Sequence, residues 1–207
     1  MKSFAIVGLL LIASFGGERC GEESIAAETR TEELSAGAKA PGFSLVNATT
    51  GKTVEMKPDD GKWKVVAFTC NQCPYAKAFE PRLIEIANRY SHKGVTFYAV
   101  NPNDENQYEV ESLANMKARA EEKSYPFPYL KDGDSNVARA YGARVTPHVF
   151  LIDGNGVIQY RGYIDDSAKP DERKNAGLTN ALNQIMDGRE IVLKETRAFG
   201  CGIKWKG

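Results

Sequence analysis

Two cysteines three residues apart, Cys70 and Cys73 in "VVAFTCNQCPYAKAFEPRL", stand where an apolar, strand-like run meets a helix-like segment that opens with Pro74. Proline suits the first position of a helix, because the N–H it lacks would have had no helical partner there. Cys73 then becomes the N-cap, and its sulfur lies beside the free N–H groups of Tyr75 and Ala76 at the positive end of the helix dipole. Such surroundings lower a cysteine pKa from roughly 8.5 to between about 3.5 and 7.5. A thiolate at that position is a nucleophile, and Cys73 is the residue expected to attack.

Cys70 occupies the turn before the helix. A turn brings residues i and i+3 within roughly 7 Å, near the upper limit of about 6.8 Å for a disulfide. Cys70 can therefore close on an oxidised Cys73, although a permanent structural disulfide or a merely buried Cys70 would fit the same spacing. Thr146-Pro147 precedes the apolar run "HVFLID". Proline there cannot donate to a sheet ladder; a cis peptide would leave the neighbouring backbone free to pair with an extended substrate. Thr146 and Pro147 are thus candidate docking residues, and Tyr75 a shield for the sulfur. Cys201, in "FGCGIKWKG", is either a buried tail cysteine beside Trp205 or a second thiol that resolves Cys73.

The elements that must position these residues follow from pattern. "FSLVN" and "KTVEM" around "ATTG" read as a hairpin, and "WKVVAFT" and "GVTFYAVN" as buried strands. Between them Ala76, Phe79, Leu83, Ile86, Ala87 and Tyr90 recur at spacings of three and four, the apolar face of one helix. His92 is a last-turn residue beside its negative end, and Trp63 belongs to the core. "ENQYEVESLANMKARAEEK" predicts a second helix, "YPFPYLKD" a short strand, and "SNVARAYG" a short helix closed by Gly142. "HVFLID" and "VIQYRGYI" flank "GNG", a hairpin signal. "GLTNALNQIMDG" is the last helix, and the tail reads as irregular. Strands alternating with helices predict an α/β fold, a central mixed sheet flanked by helices.

The chain has 207 residues, a formal net charge of zero and no basic stripe, which leaves no electrostatic case for nucleic acid. Met1-Lys2, the apolar run "FAIVGLLLIASF" and the small residues after it predict a secretory signal peptide over 1–26, with cleavage after Gly16 as the alternative. A polar leader over 27–37 and a single domain over 38–207 complete the layout. Export to a periplasmic or extracellular space predicts an oxidising compartment. Cys20 is removed with the signal, or remains as a free thiol or anchor.

The stretches "APGFSLVNATTGKTV", "VVAFTCNQCPYAKAFEPRL", "FPYLKDGDSNVARAYGARVTPHVFLIDGNGVIQYRGYIDD" and "GCGIKWKG" resemble the peroxiredoxin-like branch of the thioredoxin superfamily, whose members are labelled alkyl hydroperoxide reductase/thiol-specific antioxidant or redoxin-domain proteins. The resemblance runs from about Ala38 to the C-terminus. It implies a thioredoxin fold with an N-terminal hairpin and one inserted helix. Thioredoxins carry a helix-kinking proline eight positions after their attacking cysteine, and Pro81 stands in that relation to Cys73. Their second cysteine would fall on Ala76, so the usual resolving thiol is missing. Thr146-Pro147 matches the superfamily's cis-proline site.

The peroxiredoxin pattern P-x-x-x-T-x-x-C, ending on Cys73, would need threonine at Cys70 and proline at Val66, and its later arginine falls on Pro147. The resemblance therefore implies thiol–disulfide exchange ahead of peroxidase activity. The partners it implies are protein or small-molecule disulfides, peroxide as a slower oxidant, and a thiol electron donor, with no cofactor. The rival chemistry is Cu(I) binding and transfer by Cys70, Cys73 and His148, as in copper chaperones of similar architecture with a C-x-x-x-C-P pair. A structural zinc site is harder to assemble from four scattered cysteines and two histidines.

Overall fold

The computed structural model describes Met1 and residues 32–207. The stretch expected to be a signal peptide, its expected cleavage sites and Cys20 lie outside the described residues. The expected hairpin is present as β1 (Phe43–Asn47) and β2 (Thr53–Met56), paired antiparallel. Then follow β3 (Trp63–Phe68), α1 (Pro74–Ser91), β4 (Val95–Asn101), α2 (Leu113–Glu122), β5 (Tyr129–Lys131) and α3 (Asn136–Tyr141). The chain closes through β6 (Val145–Thr146), β7 (His148–Ile152), β8 (Ile158–Gly162), α4 (Gly177–Met186) and β9 (Cys201–Gly202).

Seven strands form one mixed sheet in the order β2-β1-β5-β4-β3-β7-β8, while β6 and β9 make a separate pair. The centre is parallel, β3 with β4 and β4 with β5, and β7 returns antiparallel against β3. This is the thioredoxin-like α/β fold that the sequence predicts, with α3 as the inserted helix.

Because β3 is covered on both faces, its residues are apolar almost without alternation. Val65 and Ala67 face a core built from Phe79, Leu83, Ile86 and Tyr90 of α1, Met116 of α2 and Leu178 of α4. Val66 and Phe68 face the opposite layer, with Tyr141 of α3, Phe150 and Ile203. Each fully buried large side chain contributes about 1.5–3 kcal/mol, so α1 is clamped along the whole face its periodicity predicts. Pro81 lies inside α1, and His92 is its C-cap. A buried ion pair adds direction to this packing. Arg82 of α1 donates to Asp165 Oδ1 at 2.6 Å and to the carbonyls of Ser167 and Ala168 at 2.8 and 3.0 Å, which ties the helix to the loop after β8.

Three local expectations change. The helix predicted through "ENQYEVESLANMKARAEEK" is divided: a short 3-10 turn at Glu109–Glu111 precedes α2, which starts only after Ser112, whose side chain caps it. The tail is not wholly irregular, because Cys201 and Gly202 pair antiparallel with Thr146 and Val145. The end of the polar leader is held rather than solvated. Leu34 N–H donates to Tyr141 O at 3.1 Å, Gly37 N–H to Ile158 O at 2.8 Å, and Glu33 pairs with Arg161.

Candidate active site

β3 ends at Phe68, and the turn Thr69–Cys73 carries the chain into α1. Cys73 is the N-cap, extended at φ −63° and ψ 123°, with Pro74 in the first helical position. The Ala76 N–H points to Cys73 Sγ at 3.5 Å. Cys73 is 1% exposed, and its sulfur lies 3.2 Å from Thr146 O, its acceptor when it carries a proton. Cys70 Sγ lies 3.1 Å from Thr146 Oγ1. One residue, Thr146, thus touches both sulfurs, by its hydroxyl and by its carbonyl, and it is joined to Pro147 through a cis peptide.

Cys201 joins them from the tail. It stands opposite Thr146 in the β6–β9 pair and packs against Cys70, Cys73 and Ala76. All three cysteines are free thiols. Gly200 allows the approach, since a Cβ there would overlap Thr146 O. Phe199 stacks edge-on against Tyr75 and Phe79, at 5.9 and 5.6 Å between ring centroids. Tyr75 is 42% exposed and borders the site together with Phe199.

These contacts separate the three thiols electrostatically. Cys73 is brought down to about 4, first by the hydrogen bond from Cys70, then by those from the Cys201 thiol and the Ala76 and Cys201 N–H groups, with burial opposing them. Cys70 is driven upward by its hydrogen bond to Cys73, by burial and by the charge of Glu111, and only Thr146 and the Cys73 backbone pull it back. Cys201 is raised to about 11 by burial and by the Cys73 sulfur, against the Tyr75 N–H and the Lys204 charge. One thiolate is therefore held between two thiols. Donor groups that stabilise the charged form are what lower a pKa.

Glu111 is the residue that sequence reasoning missed. Fully buried, it accepts the N–H groups of Asn71 and Gln72 at 2.8 and 3.1 Å and the side-chain amides of Asn101 and Asn103 at 2.8 and 3.2 Å. Tyr129 OH donates to Asn71 Oδ1 at 2.9 Å, and Lys131 Nζ to the carbonyls of Asn103 and Glu111 at 2.6 and 2.9 Å. The turn between the cysteines hangs on this carboxylate. In the sequence Glu111 was one acidic residue among several in a charged, helix-like stretch. Only the asparagines of "VNPNDEN" and Asn71 hint at a buried polar network.

His148, the third ligand expected for Cu(I), is not with the cysteines. It is buried beneath the carboxylate of Glu33, with Nε2 3.1 Å from Oε1, and its ring rests on Phe150 at 4.5 Å. No group of three His, Cys, Asp or Glu side chains fit to hold a metal occurs among the described residues.

The family model described as the AhpC/TSA family matches residues 36–161, more than half of the chain. The chain belongs to the AhpC/TSA family. Its relatives in sequence divide between two chemistries. The thiol-disulfide oxidoreductase ResA of Bacillus thuringiensis subsp. konkukian is 28% identical over 63% of this chain and 70% of its own. The selenocysteine-containing peroxiredoxin PrxU of Peptoclostridium acidaminophilum is 29% identical over 61% of this chain and 66% of its own. Among solved structures, an uncharacterized conserved protein from Geobacillus kaustophilus is 39% identical, superposes with a TM-score of 0.77, and covers 83% of this chain and 92% of its own. This AhpC/TSA member is thus a thioredoxin-like redoxin distantly homologous to thiol-disulfide oxidoreductases.

Proposed function

We propose that this AhpC/TSA protein is an exported thiol–disulfide oxidoreductase in which Cys73 is the attacking thiolate. The observation that carries the reading is the Cys73 sulfur at a helix N-terminus, packed in one cluster with two further thiols, Cys70 and Cys201. Cys73 attacks one sulfur of a substrate disulfide, forming a mixed disulfide and releasing the other half as a thiolate. A second thiol, Cys70 or Cys201, then attacks the Cys73 sulfur, the bound half leaves as a thiol, and a thiol donor later returns two electrons. Thr146 and Pro147 border the sulfurs and shape the approach. The sequence relationship to ResA supports exchange chemistry.

The test is exchange with oxidised glutathione, followed as loss of thiols. Cys73→Ser is expected to abolish it, and full activity in that variant would defeat the proposal. Export rests on the N-terminal sequence. Expression in a bacterial host should yield a mature chain beginning after Gly16 or Ala26, read by N-terminal sequencing; an intact Met1 on soluble cytosolic protein would refute it.

A second reading, thiol peroxidase, is favoured by the relationship to PrxU. Hydrogen peroxide would convert Cys73 to a sulfenic acid with release of water, and the same second thiol would close on it. A rate near that of free thiolates is expected, because Cys70, Val66 and Pro147 replace the residues that speed peroxide attack in peroxiredoxins.

A further inference from the structure

The strand edge beside Cys73 is already filled. β9 lies along β6 in antiparallel register, Thr146 against Cys201 and Val145 against Gly202, and Ile203 N–H donates to Arg144 O at 2.9 Å. The segment is fixed on both sides of Cys201. Before it, Phe199 packs on Tyr75 and Phe79. After it, Lys204 exchanges bonds with Asp104 N–H and Asn103 Oδ1 at 2.8 and 2.9 Å, and Trp205 lies under the Arg139 guanidinium at 4.7 Å. An extended peptide seeking to pair with β6 would meet the chain's own tail.

The two thiols that flank Cys73 are also unequal. Cys70 is buried, bonded to Thr146 and faced by the Glu111 carboxylate, which opposes its ionisation. Cys201 is half-buried, with the Tyr75 N–H and the Lys204 charge favouring its thiolate. Two of the influences that hold Cys201 protonated, the hydrogen bond and the charge of Cys73, disappear once Cys73 has reacted.

Given that Cys73 is the attacking thiolate, as proposed above, we infer that Cys201 is the resolving cysteine, that Cys70 stays a thiol throughout as the hydrogen-bond donor to Cys73, and that the tail on β6 restricts the oxidising substrate to low-molecular-weight disulfides. The Cys73 thiolate attacks R–S–S–R, forming Cys73–S–S–R and releasing RS⁻. Cys201 then attacks the Cys73 sulfur, its proton passes to the departing RS group, and a Cys73–Cys201 disulfide remains. A dithiol reductant attacks the more accessible Cys201 sulfur, and Cys73 leaves as a thiolate. The second thiol of the reductant then frees Cys201, so two electrons have passed from the dithiol to the small disulfide. Cys73 is the favoured leaving group, because the thiol of lower pKa leaves faster.

The experiment uses the full mature chain, reduced, with oxidised glutathione or a disulfide-linked extended peptide as oxidant, acid-quenched in time and mapped by mass spectrometry. A Cys73–Cys201 bond with Cys70 still alkylatable is expected, with glutathione disulfide favoured over the peptide by about tenfold or more in rate, roughly 1.4 kcal/mol of barrier. Cys70→Ser should still close the Cys73–Cys201 bond while the midpoint of Cys73 alkylation moves to higher pH. Cys201→Ser should accumulate the glutathione adduct on Cys73. Gly200→Ala keeps all three thiols but forces the tail off Thr146, and should gain reactivity toward the peptide. A Cys70–Cys73 disulfide as the first closed product, or equal rates with both oxidants, overturns the inference while leaving Cys73 as nucleophile. No reaction at Cys73 with either oxidant would instead remove the proposed function itself.

Discussion

The Glu111 carboxylate accepts the Asn71 backbone N–H at 2.8 Å, and through it a residue from the segment before α2 fixes the turn that carries Cys70 and Cys73. Four donors converge on this one fully buried side chain. Glu111→Ala would leave all of them unpaired in the interior, and breaking such buried charged networks costs about 3–5 kcal/mol. For a chain of this size that corresponds to a fall in Tm of about 10 °C. Thermal unfolding of the reduced protein measures it, with Glu111→Gln expected to recover part of the loss because two acceptor positions survive on the amide oxygen. An unchanged Tm in Glu111→Ala would mean that the network does not support the turn.

The ordering of the thiols predicts a pH profile. Cys73 at about 4 is a thiolate throughout the neutral range, and its alkylation by iodoacetamide should fall only as pH drops through about 4. A second, slower rise belongs to Cys201 near 11. The same depression bears on folding. The unfolded chain holds its cysteine protons up to the ordinary value of about 8.5, whereas the folded protein has already released that of Cys73. Stabilisation of the reduced protein by this group is therefore complete above about 8.5 and is lost as pH falls toward 4. A single alkylation midpoint near 8.5 would contradict the assignment of Cys73.

Thr146 contributes to the site twice, and substitution separates its roles. Thr146→Val removes the hydroxyl 3.1 Å from Cys70 Sγ but keeps the carbonyl near Cys73 and the backbone pairing with Cys201. One neutral hydrogen bond is worth about 0.5–1.5 kcal/mol, so a small loss of stability is expected with Cys73 alkylation nearly unchanged. If the rate instead collapsed, the hydroxyl would be organising the nucleophile and not only Cys70.

The fold was legible because its signals are local. The apolar face of α1, the continuous β3 and the Pro74 start each follow from spacing within a few residues, and they suffice to place Cys73 at a helix N-terminus. What stayed hidden depends on distant pairing. Glu111 reads as a surface charge until Asn71, Asn101 and Asn103 close around it. His148 follows Pro147 in sequence, yet strand geometry turns it to Glu33. The tail's two-residue strand is too short to produce a periodic pattern, and Cys201 gains its meaning only from Thr146 across the β6–β9 pair. The leader's end is hidden for a related reason: Glu33 counts as a polar charge in composition, but in the fold it answers Arg161.

The helix that presents Cys73 is also fixed at its middle by charge. Arg82 Nη1 meets Asp165 Oδ1 at 2.6 Å with both residues buried, about two and a half turns along α1 from Cys73. Arg82→Ala would leave the buried Asp165 carboxylate only the Ser167 N–H at 3.2 Å and the more distant Arg173 guanidinium at 3.9 Å, and removing one partner of a buried pair costs about 3–5 kcal/mol. Urea unfolding of the reduced protein should show the midpoint lowered at an unchanged slope. Asp165→Asn is expected to cost less, since the amide oxygen still accepts from Arg82 and the guanidinium keeps the carbonyls of Ser167 and Ala168. If Arg82→Ala and wild type unfolded at the same urea concentration, α1 would be held by its apolar face alone.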